Sequence, residues 1–213
     1  MTFLFPKVYP ILDAGVIPAA GRGEFLHRLG AEMAAAGVTL LEYRNKAGAD
    51  SEILADAATL RAAMPAEKIK LILDDRADLV ELAGFDGVHV DAGDASPAEV
   101  RRMIGQGRMV GTFGGSEALV PGILDAPADY LSIGPIGPTR TKQTTKAPIG
   151  AEGVRRLREE AGPRPVLVAA GGVTLERARE VLAAGANTVA VSEAIFRAAD
   201  PAGEFRRWVA ELG

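Results

Sequence analysis

Basic and acidic side chains lie in those parts of this 213-residue chain that are predicted to follow β-strands. Arg44, Lys46 and Lys142 supply positive charge and hydrogen-bond donors that suit phosphate oxygens. Asp75 and Asp94 supply hard carboxylate oxygens, and protein-bound Mg²⁺ usually takes one or two carboxylates together with phosphate oxygens of a substrate. These residue types predict that a phosphorylated compound is bound with the help of a divalent cation.

A second anion site is indicated by the pair Gly171 and Gly172, which follows another predicted strand. Glycine permits close approach of the backbone to a ligand, and backbone N–H groups at the start of a helix face an anion. Val191 and Ser192 end the next strand, and the loops after the last two strands form the usual phosphate cradle of eight-stranded βα barrels. Two separated anion sites and a cation indicate an enzyme that joins two phosphorylated molecules, or that handles a pyrophosphate beside a monophosphate.

The elements that position these residues are apolar runs that alternate with amphipathic segments almost to the end of the chain. Several runs are nearly continuously hydrophobic, as expected for parallel strands that are buried on both faces. In the amphipathic segment after the glycine pair, Thr174 is expected to cap the helix start and Gly185 to close its end. The predicted strands are Val8–Asp13, Val38–Arg44, Ile69–Asp74, Gly87–Val90, Arg108–Thr112, Tyr130–Gly134, Val166–Ala170 and Thr188–Val191.

Alternation of about eight strands with eight helical connections predicts an α/β fold, a (β/α)8 TIM barrel that forms a single domain over residues 1–213. A doubly wound open sheet is the rival fold. The segment Gly21 to Gly23 is too short, and lies too far along the chain, to be its dinucleotide fingerprint. The active sites of barrel enzymes lie at the carboxyl ends of the strands, so the cationic, carboxylate and glycine residues of the two predicted anion sites are expected at one rim.

Each of these features also has a structural interpretation. Arg44 and Lys46 are compatible with solvated loop charges, and the glycine pair is compatible with a tight turn alone. Asp74 and Asp75 are compatible with caps of the third helix. His89, near the end of the fourth strand, is of a type that is more often packed than catalytic. Convergence of cations, carboxylates and glycines on one rim favours the functional interpretation.

The composition excludes several classes of protein. The chain carries 24 basic and 28 acidic residues, a formal charge of −4, which argues against a strongly cationic nucleic-acid-binding protein. It contains no cysteine and only two histidines, which excludes disulfides, thiolate nucleophiles and histidine-rich metal sites. No apolar stretch approaches the ~18 residues of a membrane span, and the first residues lack signal-peptide features. We therefore expect a cytoplasmic protein with no membrane partner.

Several motifs together resemble the thiamine phosphate synthase family over most of the chain. The most specific is the run Gly-Pro-Ile-x-Pro-Thr-x-Thr-Lys, whereas the glycine pair alone is common to many phosphate-binding barrels. The motifs are Leu41–Lys46, Leu73–Arg76, Asp86–His89, Asp129–Lys142, Ala170–Gly172 and Val189–Ser192. The resemblance implies that hydroxymethylpyrimidine pyrophosphate loses pyrophosphate with Mg²⁺ assistance. The nitrogen of thiazole phosphate then attacks the pyrimidine methylene and gives thiamine phosphate.

The resemblance implies a catalytic set and a metal site. Arg44 and Lys46 would hold the pyrophosphate, and Lys142 would neutralise it as it leaves. Asp75 and Asp94 would bind Mg²⁺. This ionisation needs stabilisation of the leaving charge rather than a protein nucleophile, which agrees with a chain that has no cysteine and almost no histidine.

The resemblance also implies contacts to the substrates. Thr139 and Thr141 would contact substrate from the loop after the sixth strand, and Gly172 would donate its backbone N–H to the thiazole phosphate. The complete predicted substrate-binding set is Glu42, Arg44, Lys46, Asp74, Thr139, Thr141, Lys142, Gly172, Val191 and Ser192.

The chain departs from the family at several of these positions. The family usually has Gln where Glu42 stands and Asn where Asp74 stands. Both changes add potential negative charge beside a polyanion and are expected to weaken pyrophosphate binding unless cations compensate. Phe113 occupies the position of a serine, which removes a hydroxyl contact, and Thr112 is the alternative hydroxyl if the register shifts by one. Gly137 stands where a phenylalanine is common.

Three functions are open at this point, and an active thiamine phosphate synthase is the leading one. A sibling thiazole tautomerase would use a histidine after the fifth strand, which this chain lacks. A non-catalytic paralogue that binds a thiamine-related phosphate is suggested by Glu42, Asp74 and Phe113. The expected partners are the two small-molecule substrates. A homo-oligomer is compatible with this fold, and no patch in the sequence is diagnostic of one.

Overall fold

The computed structural model describes residues 3–91, 93–139 and 145–213 of the chain. Eight parallel strands close into a barrel in which each strand pairs with its neighbours along the chain and β8 pairs with β1. The predicted (β/α)8 TIM barrel is therefore confirmed. The strands are β1 (Val8–Asp13), β2 (Leu40–Arg44), β3 (Lys70–Asp74), β4 (Gly87–Val90), β5 (Met109–Gly115), β6 (Tyr130–Ile133), β7 (Val166–Ala169) and β8 (Thr188–Val191).

The outer layer is less regular than the predicted eight helical connections. The connection from β3 to β4 runs through turns, because residues 75–86 are too few for loops and a full helix. The connection from β5 to β6 holds a short 3-10 turn, Ile123–Asp125, between Pro121 and Pro127, which interrupt regular helix. The helices are α1 (Arg22–Ala35), α2 (Asp50–Ala63), α3 (Pro97–Ile104), α4 (Gly150–Ala161), α5 (Leu175–Ala183), α6 (Glu193–Phe196) and α7 (Pro201–Leu212).

The helix around residue 180 begins and ends as the sequence predicts. The Thr174 side chain accepts a hydrogen bond from the Arg177 N–H at 3.3 Å and caps α5. Gly185 follows the helix with φ of +113°, a conformation that side chains with a Cβ rarely adopt. The glycine thus turns the chain directly into β8.

Two apolar cores support the barrel. The larger lies between the strands and the helices, and the smaller fills the inside of the barrel. The inner core is built from Tyr9, Leu40, Ile72, Tyr130, Val168 and Ala190. Because side chains alternate along each strand, the next inward-facing residues toward the carboxyl ends lie above this apolar filling. The polar residues predicted for the site occupy these upper positions.

Arg101 and Asp129 join two strands at the amino-terminal end of the barrel. Asp129 Oδ2 accepts hydrogen bonds from the backbone N–H of Val110 on β5 and from Arg101 Nη2, both at 2.7 Å. Arg101 also donates to the carbonyl oxygens of Arg108 at 2.6 Å and Pro127 at 3.2 Å. One buried guanidinium therefore satisfies the backbone on both sides of the β5–β6 pair.

The same arrangement recurs in two other strand pairs, and we call the three arrangements the basal ties. In each, a side-chain oxygen that precedes the even-numbered strand accepts from a backbone N–H of the odd-numbered strand and from a helix arginine. The donor–acceptor distances lie between 2.5 and 3.0 Å. The two further trios are Asp86, Leu71 and Arg61 in β3–β4, and Asn187, Leu167 and Arg158 in β7–β8.

Candidate functional site

Two adjoining cavities open at the carboxyl-terminal rim of the barrel. The first cavity has a volume of about 390 Å³ and is bounded by Glu42, His89 and the turn at Gly172. The second cavity has a volume of about 430 Å³ and is bounded by Lys46 and Phe113. Both are lined by Asp91, Ser132, Thr139, Ala170 and Gly171. The rim therefore offers one continuous site with two ends.

Lys46 lies among three carboxylates at the junction of the two cavities. Its Nζ is 3.3 Å from Asp74 Oδ2 and 3.7 Å from Asp91 Oδ2, and it also pairs with Asp75. Burial lowers the pKa of Lys46, but the charges of these carboxylates outweigh burial and raise it overall. Arg44 lies alongside, with Nε 3.4 Å from Asp74 Oδ2 and a second ion pair to Asp13. The two cations therefore pair with carboxylates of the rim, Arg44 at a half-buried position and Lys46 at a partly exposed one, and are not isolated loop charges.

Glu42 and Asp74 are the most strongly perturbed carboxyl groups of the rim. Burial, with the neighbouring charge of Asp74, raises the pKa of Glu42 to about 8. Burial, with the charge of Asp75, raises the pKa of Asp74 to about 7, although Lys46 and Arg44 oppose the shift. At neutral pH Glu42 is therefore largely protonated and adds little of the negative charge expected from the sequence.

A carboxylate cluster suited to a divalent cation lies beside Lys46. One oxygen each from Asp74, Asp75 and Asp91 lies within 4.8 Å of the others. Asp75 Oδ1 is buried and accepts no hydrogen bond from the described residues. Asp94 lies close enough to raise the pKa of Asp75, after the larger effect of burial, and its Oδ2 accepts the Asp91 N–H at 2.8 Å. Hard oxygen donors in this arrangement fit Mg²⁺.

The backbone at Asp75 explains why two successive aspartates reach the same site. Asp74 faces the first cavity by strand alternation. Asp75 has φ of +62°, an uncommon left-handed conformation that turns its side chain back toward Lys46. The interpretation of the pair as caps of a third helix is wrong, because the described chain continues from Asp75 into turns.

The glycine pair is both a tight turn and a point of close backbone approach. Gly171 and Gly172 have φ of +83° and +65°. A Cβ at Gly172 would lie 2.4 Å from the carbonyl oxygens of Gly137 and Pro138. The turn is held in place because Ile136 N–H donates to the Gly171 carbonyl at 2.8 Å. Only glycine fits position 172, and the turn lines the first cavity.

Ser192 adds a polar atom to this end of the first cavity. Its Oγ is buried and has no hydrogen-bond partner among the described residues. Val191 lines the same end. A buried hydroxyl without a partner is costly unless a ligand satisfies it, so Ser192 marks a place for a hydrogen-bonding group.

A polar network of buried side chains forms the floor of the first cavity. Tyr9 donates its hydroxyl proton to Glu42 Oε2 at 2.7 Å and lies 3.0 Å from the Tyr130 hydroxyl. His89 stacks on the Tyr130 ring at 5.5 Å and lies 3.4 Å from Ser132 Oγ. Space for the Tyr130 ring exists because Gly111 faces it, where a Cβ would lie 2.0 Å from the ring. His89 is packed into this floor and also faces the cavity.

Phe113 lines the second cavity, where the resemblance places a serine. The ammonium of Lys146 lies 3.8 Å from the Phe113 ring centroid, a cation–π contact. The serine hydroxyl that Phe113 replaces is absent, and Lys146 adds a positive charge at the same wall of the second cavity. Thr112 does not replace the hydroxyl, because it lies on the other face of β5.

Most of the site residues predicted from the sequence meet at this rim. Thr139 lines both cavities, whereas Thr141 and Lys142 lie outside the described residues. The lining residues that were not predicted include the charged residues Asp91, Lys146 and Arg177. Asp91 could have been predicted from the sequence, because it directly follows β4. Lys146 lies in a loop and Arg177 on a helix, where the periodicity of strands gives no information about the site.

Comparison with known proteins decides the family. The family model described as thiamine monophosphate synthase matches residues 8–195. The chain belongs to the thiamine monophosphate synthase family. It is 41% identical over 186 residues to a thiamine-phosphate synthase of Koribacter versatilis, with 87% of each chain covered. It is 36% identical over 167 residues to one of Agrobacterium fabrum, with 77% of this chain and 76% of the relative covered.

Solved structures agree with this family. A thiamine phosphate pyrophosphorylase from Pyrococcus furiosus superposes with a TM-score of 0.74 at 27% identity, over 97% of this chain and 96% of that one. These relatives are transferases, and they do not favour the tautomerase alternative. Their chemistry is consistent with metal assistance.

No helix within the described residues is long and apolar enough to cross a membrane.

Proposed function

We propose that this chain is a thiamine phosphate synthase that joins hydroxymethylpyrimidine pyrophosphate to thiazole phosphate and releases pyrophosphate. The observation that carries the proposal is the position of the Lys46 carboxylate cluster beside the Gly172 turn, in adjoining cavities of one rim. A cationic end and a backbone anion-binding turn in adjoining cavities suit two phosphorylated substrates that are bound next to each other. Membership of a family whose relatives carry this name supports the same reaction.

The pyrophosphate belongs in the second cavity. Lys46 and Lys146 both line it, and Arg44 lies at the adjoining wall of the first cavity. Charge-assisted hydrogen bonds from such groups are the strong ones for phosphate oxygens. Lys142 remains our prediction for a further cation at the leaving group, on the basis of its motif alone.

Mg²⁺ belongs beside the pyrophosphate, with Asp75 and Asp94 as its proposed ligands. Asp74 and Asp91 lie close enough to orient those ligands or to share the ion. When bound, Mg²⁺ supplies charge withdrawal from the pyrophosphate oxygens and so makes pyrophosphate a better leaving group. The buried Asp75 Oδ1, which lacks a hydrogen-bond donor among the described residues, supports this placement.

The thiazole phosphate belongs at the other end of the first cavity. We assign the Gly172 backbone N–H and the Ser192 hydroxyl as donors to its phosphate oxygens. Val191 and Thr139 line the same cavity and would contact the rest of the substrate. Thr141 is assigned a similar contact from its motif alone.

The reaction breaks one bond and forms one. The bond between the pyrimidine methylene carbon and the pyrophosphate oxygen breaks, and its electron pair leaves with the pyrophosphate. The lone pair of the thiazole nitrogen forms the new carbon–nitrogen bond, and no proton has to be removed from that nitrogen. Arg44, Lys46 and Lys142 therefore act by stabilising the departing charge, which is electrostatic catalysis. The apolar side chains of Ile11 and Val168, which also line the first cavity, limit access of water to the reactive carbon.

The replacement of neutral family residues by Glu42 and Asp74 is compatible with this activity. The Glu42 carboxyl is largely neutral at pH 7, because its pKa is about 8. Asp74, with a pKa of about 7, lies beside Lys46 and Arg44, which balance its ionised form. The repulsion that motivated a non-catalytic paralogue is therefore smaller than the sequence suggests.

The direct test combines purified protein, both substrates and Mg²⁺. We expect thiamine phosphate and pyrophosphate in equal amounts, with no product when the metal is chelated. Absence of product across a wide range of Mg²⁺ concentrations would reject the proposal. In that event, binding of thiamine phosphate by calorimetry would identify a non-catalytic paralogue, and proton exchange on the thiazole carboxylate phosphate would identify a tautomerase.

A further inference from the structure

Arg177 is a cation at the monophosphate end to which the reaction scheme assigns no role. It lies in the first turn of α5, and its side chain lines the first cavity. Its Nη1 donates to the carbonyl oxygen of Gly172 at 3.1 Å. The guanidinium is thereby fixed beside the residue whose N–H we assign to the phosphate.

Gly137 provides the space in which this guanidinium lies. A Cβ at position 137 would lie 2.8 Å from Arg177 Nη1 and 2.9 Å from its Cζ, and 2.6 Å from the Gly172 carbonyl oxygen. Contacts under 3.0 Å force a neighbour to move. The guanidinium is the more mobile of these neighbours, so a side chain at position 137 would displace it and would also press on the Gly172 carbonyl.

The charge of Arg177 is available to an anion. A guanidinium carries five N–H donors, and among the described residues only the bond to Gly172 uses one of them. No carboxylate of the described chain forms an ion pair with Arg177. Glu193, the acidic residue at this end of the cavity, is bound by Arg197 Nε at 3.1 Å. Ser192 Oγ, also without a partner in the described chain, lines the same cavity.

We propose that Arg177 binds the phosphate monoester of the thiazole substrate and that Gly137 is the residue that admits it. This inference rests on the proposed function and deepens it. A planar guanidinium with free donors recognises two phosphate oxygens at once, which a backbone N–H alone does not.

The test compares Arg177→Ala with Arg179→Ala in the intact protein. Arg179 lies on the same helix, is exposed and pairs with Glu211 away from the cavity, so it is the matched control. We expect Arg177→Ala to raise the KM for thiazole phosphate about 10- to 100-fold. The KM for the pyrimidine pyrophosphate should stay within about twofold of the wild-type value, and Arg179→Ala should leave both unchanged.

A binding measurement keeps this result separate from the proposed function. Calorimetry with thiazole phosphate and with the dephosphorylated thiazole alcohol needs no turnover. We expect Arg177→Ala to lose the preference for the phosphate ester, Arg177→Lys to keep part of it, and Gly137→Ala to weaken it with the arginine still present. If Arg177→Ala does not fold, Arg177→Lys carries the test, because a Cβ at position 137 would also press on the Gly172 carbonyl. Equal phosphate preference in the wild type and these variants overturns the proposal, whether or not the chain makes thiamine phosphate.

Discussion

The two ends of the barrel use the same residue types in opposite ways. At the amino-terminal end, each basal tie pairs an arginine with a side-chain oxygen, and the remaining guanidinium donors bind backbone carbonyls. In one tie, Asp86 also pairs with Lys70. At the carboxyl-terminal end, Glu42 and several aspartates crowd around Arg44 and Lys46. The first arrangement is balanced in donors and acceptors, whereas the second has more carboxylates than cations.

This contrast distinguishes a structural charge cluster from a functional one. A balanced cluster is complete without a ligand and adds stability. The rim cluster raises the pKa of Glu42 and Asp74 by burial and mutual repulsion, and it leaves polar atoms of Asp75 and Ser192 without partners in the described chain. Perturbed carboxyl groups in a cleft with unsatisfied polar atoms are typical of binding sites.

The largest effect is expected for Lys46→Ala. Removal of this ammonium takes away charge stabilisation of the leaving pyrophosphate, so turnover should fall about 100- to 1000-fold. The unfolding free energy should change by about 1 kcal/mol or less, because Lys46 is partly exposed. Steady-state kinetics and urea denaturation measure the two quantities.

Lys70→Ala is the matched control for this variant. Both lysine side chains are 37% exposed and both pair with aspartate, but Lys70 lies at the amino-terminal end. Its replacement should leave turnover unchanged. Equal loss of turnover in the two variants would contradict the functional assignment of the carboxyl-terminal cluster.

The second effect is expected for Arg101→Ala. The change leaves the carbonyl oxygens of Arg108 and Pro127 and the Asp129 carboxylate without their buried donor. The unfolding free energy should fall by about 2–4 kcal/mol, while KM and turnover of the folded enzyme stay the same. The neighbouring exposed residue offers the control Arg102→Ala, which should cost about 0.5 kcal/mol or less. If Arg101→Ala changed KM and left the unfolding free energy unchanged, the assignment of a structural role to the amino-terminal end would be contradicted.

The smallest effect is expected for Glu42→Gln. The folded pKa of Glu42 is about 8 against an ordinary 4.5, so the folded state binds a proton that the unfolded state releases between these values. Wild-type stability should therefore decrease as pH rises from about 4.5 to about 8. Glutamine removes this decrease, and the variant should be more stable by on the order of 1–3 kcal/mol at pH 9 and little changed at pH 4.

Thermal unfolding across pH measures this difference, and the surface change Glu159→Gln is its control. Asp74 gives the wild type and the Glu42 variant a common residual dependence on pH in the same direction. Parallel curves for wild type and Glu42→Gln would show that the pKa of the Glu42 carboxyl is not raised in the folded protein, and the contrast between the two ends would lose its main electrostatic support.

The sequence was sufficient for the barrel and for much of the rim. Apolar runs placed all eight strands, because strands buried on both faces are nearly continuously hydrophobic. Alternation placed Glu42 and Arg44 on the inner face, where both line the first cavity. The boundaries of β5 were wrong, since the strand continues to Gly115 through a bulge after Phe113.

The rest of the site depends on geometry that periodicity does not encode. Asp75 reaches Lys46 because of a left-handed backbone conformation that no motif announces. Arg177 reaches the cavity from a helix, and only the absence of a side chain at Gly137 reveals the space it occupies. Such contacts arise from the packing of segments that are distant in the sequence, which the periodicity of single strands and helices does not specify.

The basal ties bear on how this barrel accommodates change. Each tie closes a pair of strands from below, at the opposite end from the loops that carry the substrates. A substitution in the upper loops therefore alters ligand contacts without loosening the junctions that keep the cylinder shut. A scaffold anchored in this way keeps its strand junctions closed while residues of the opposite, ligand-binding end are replaced.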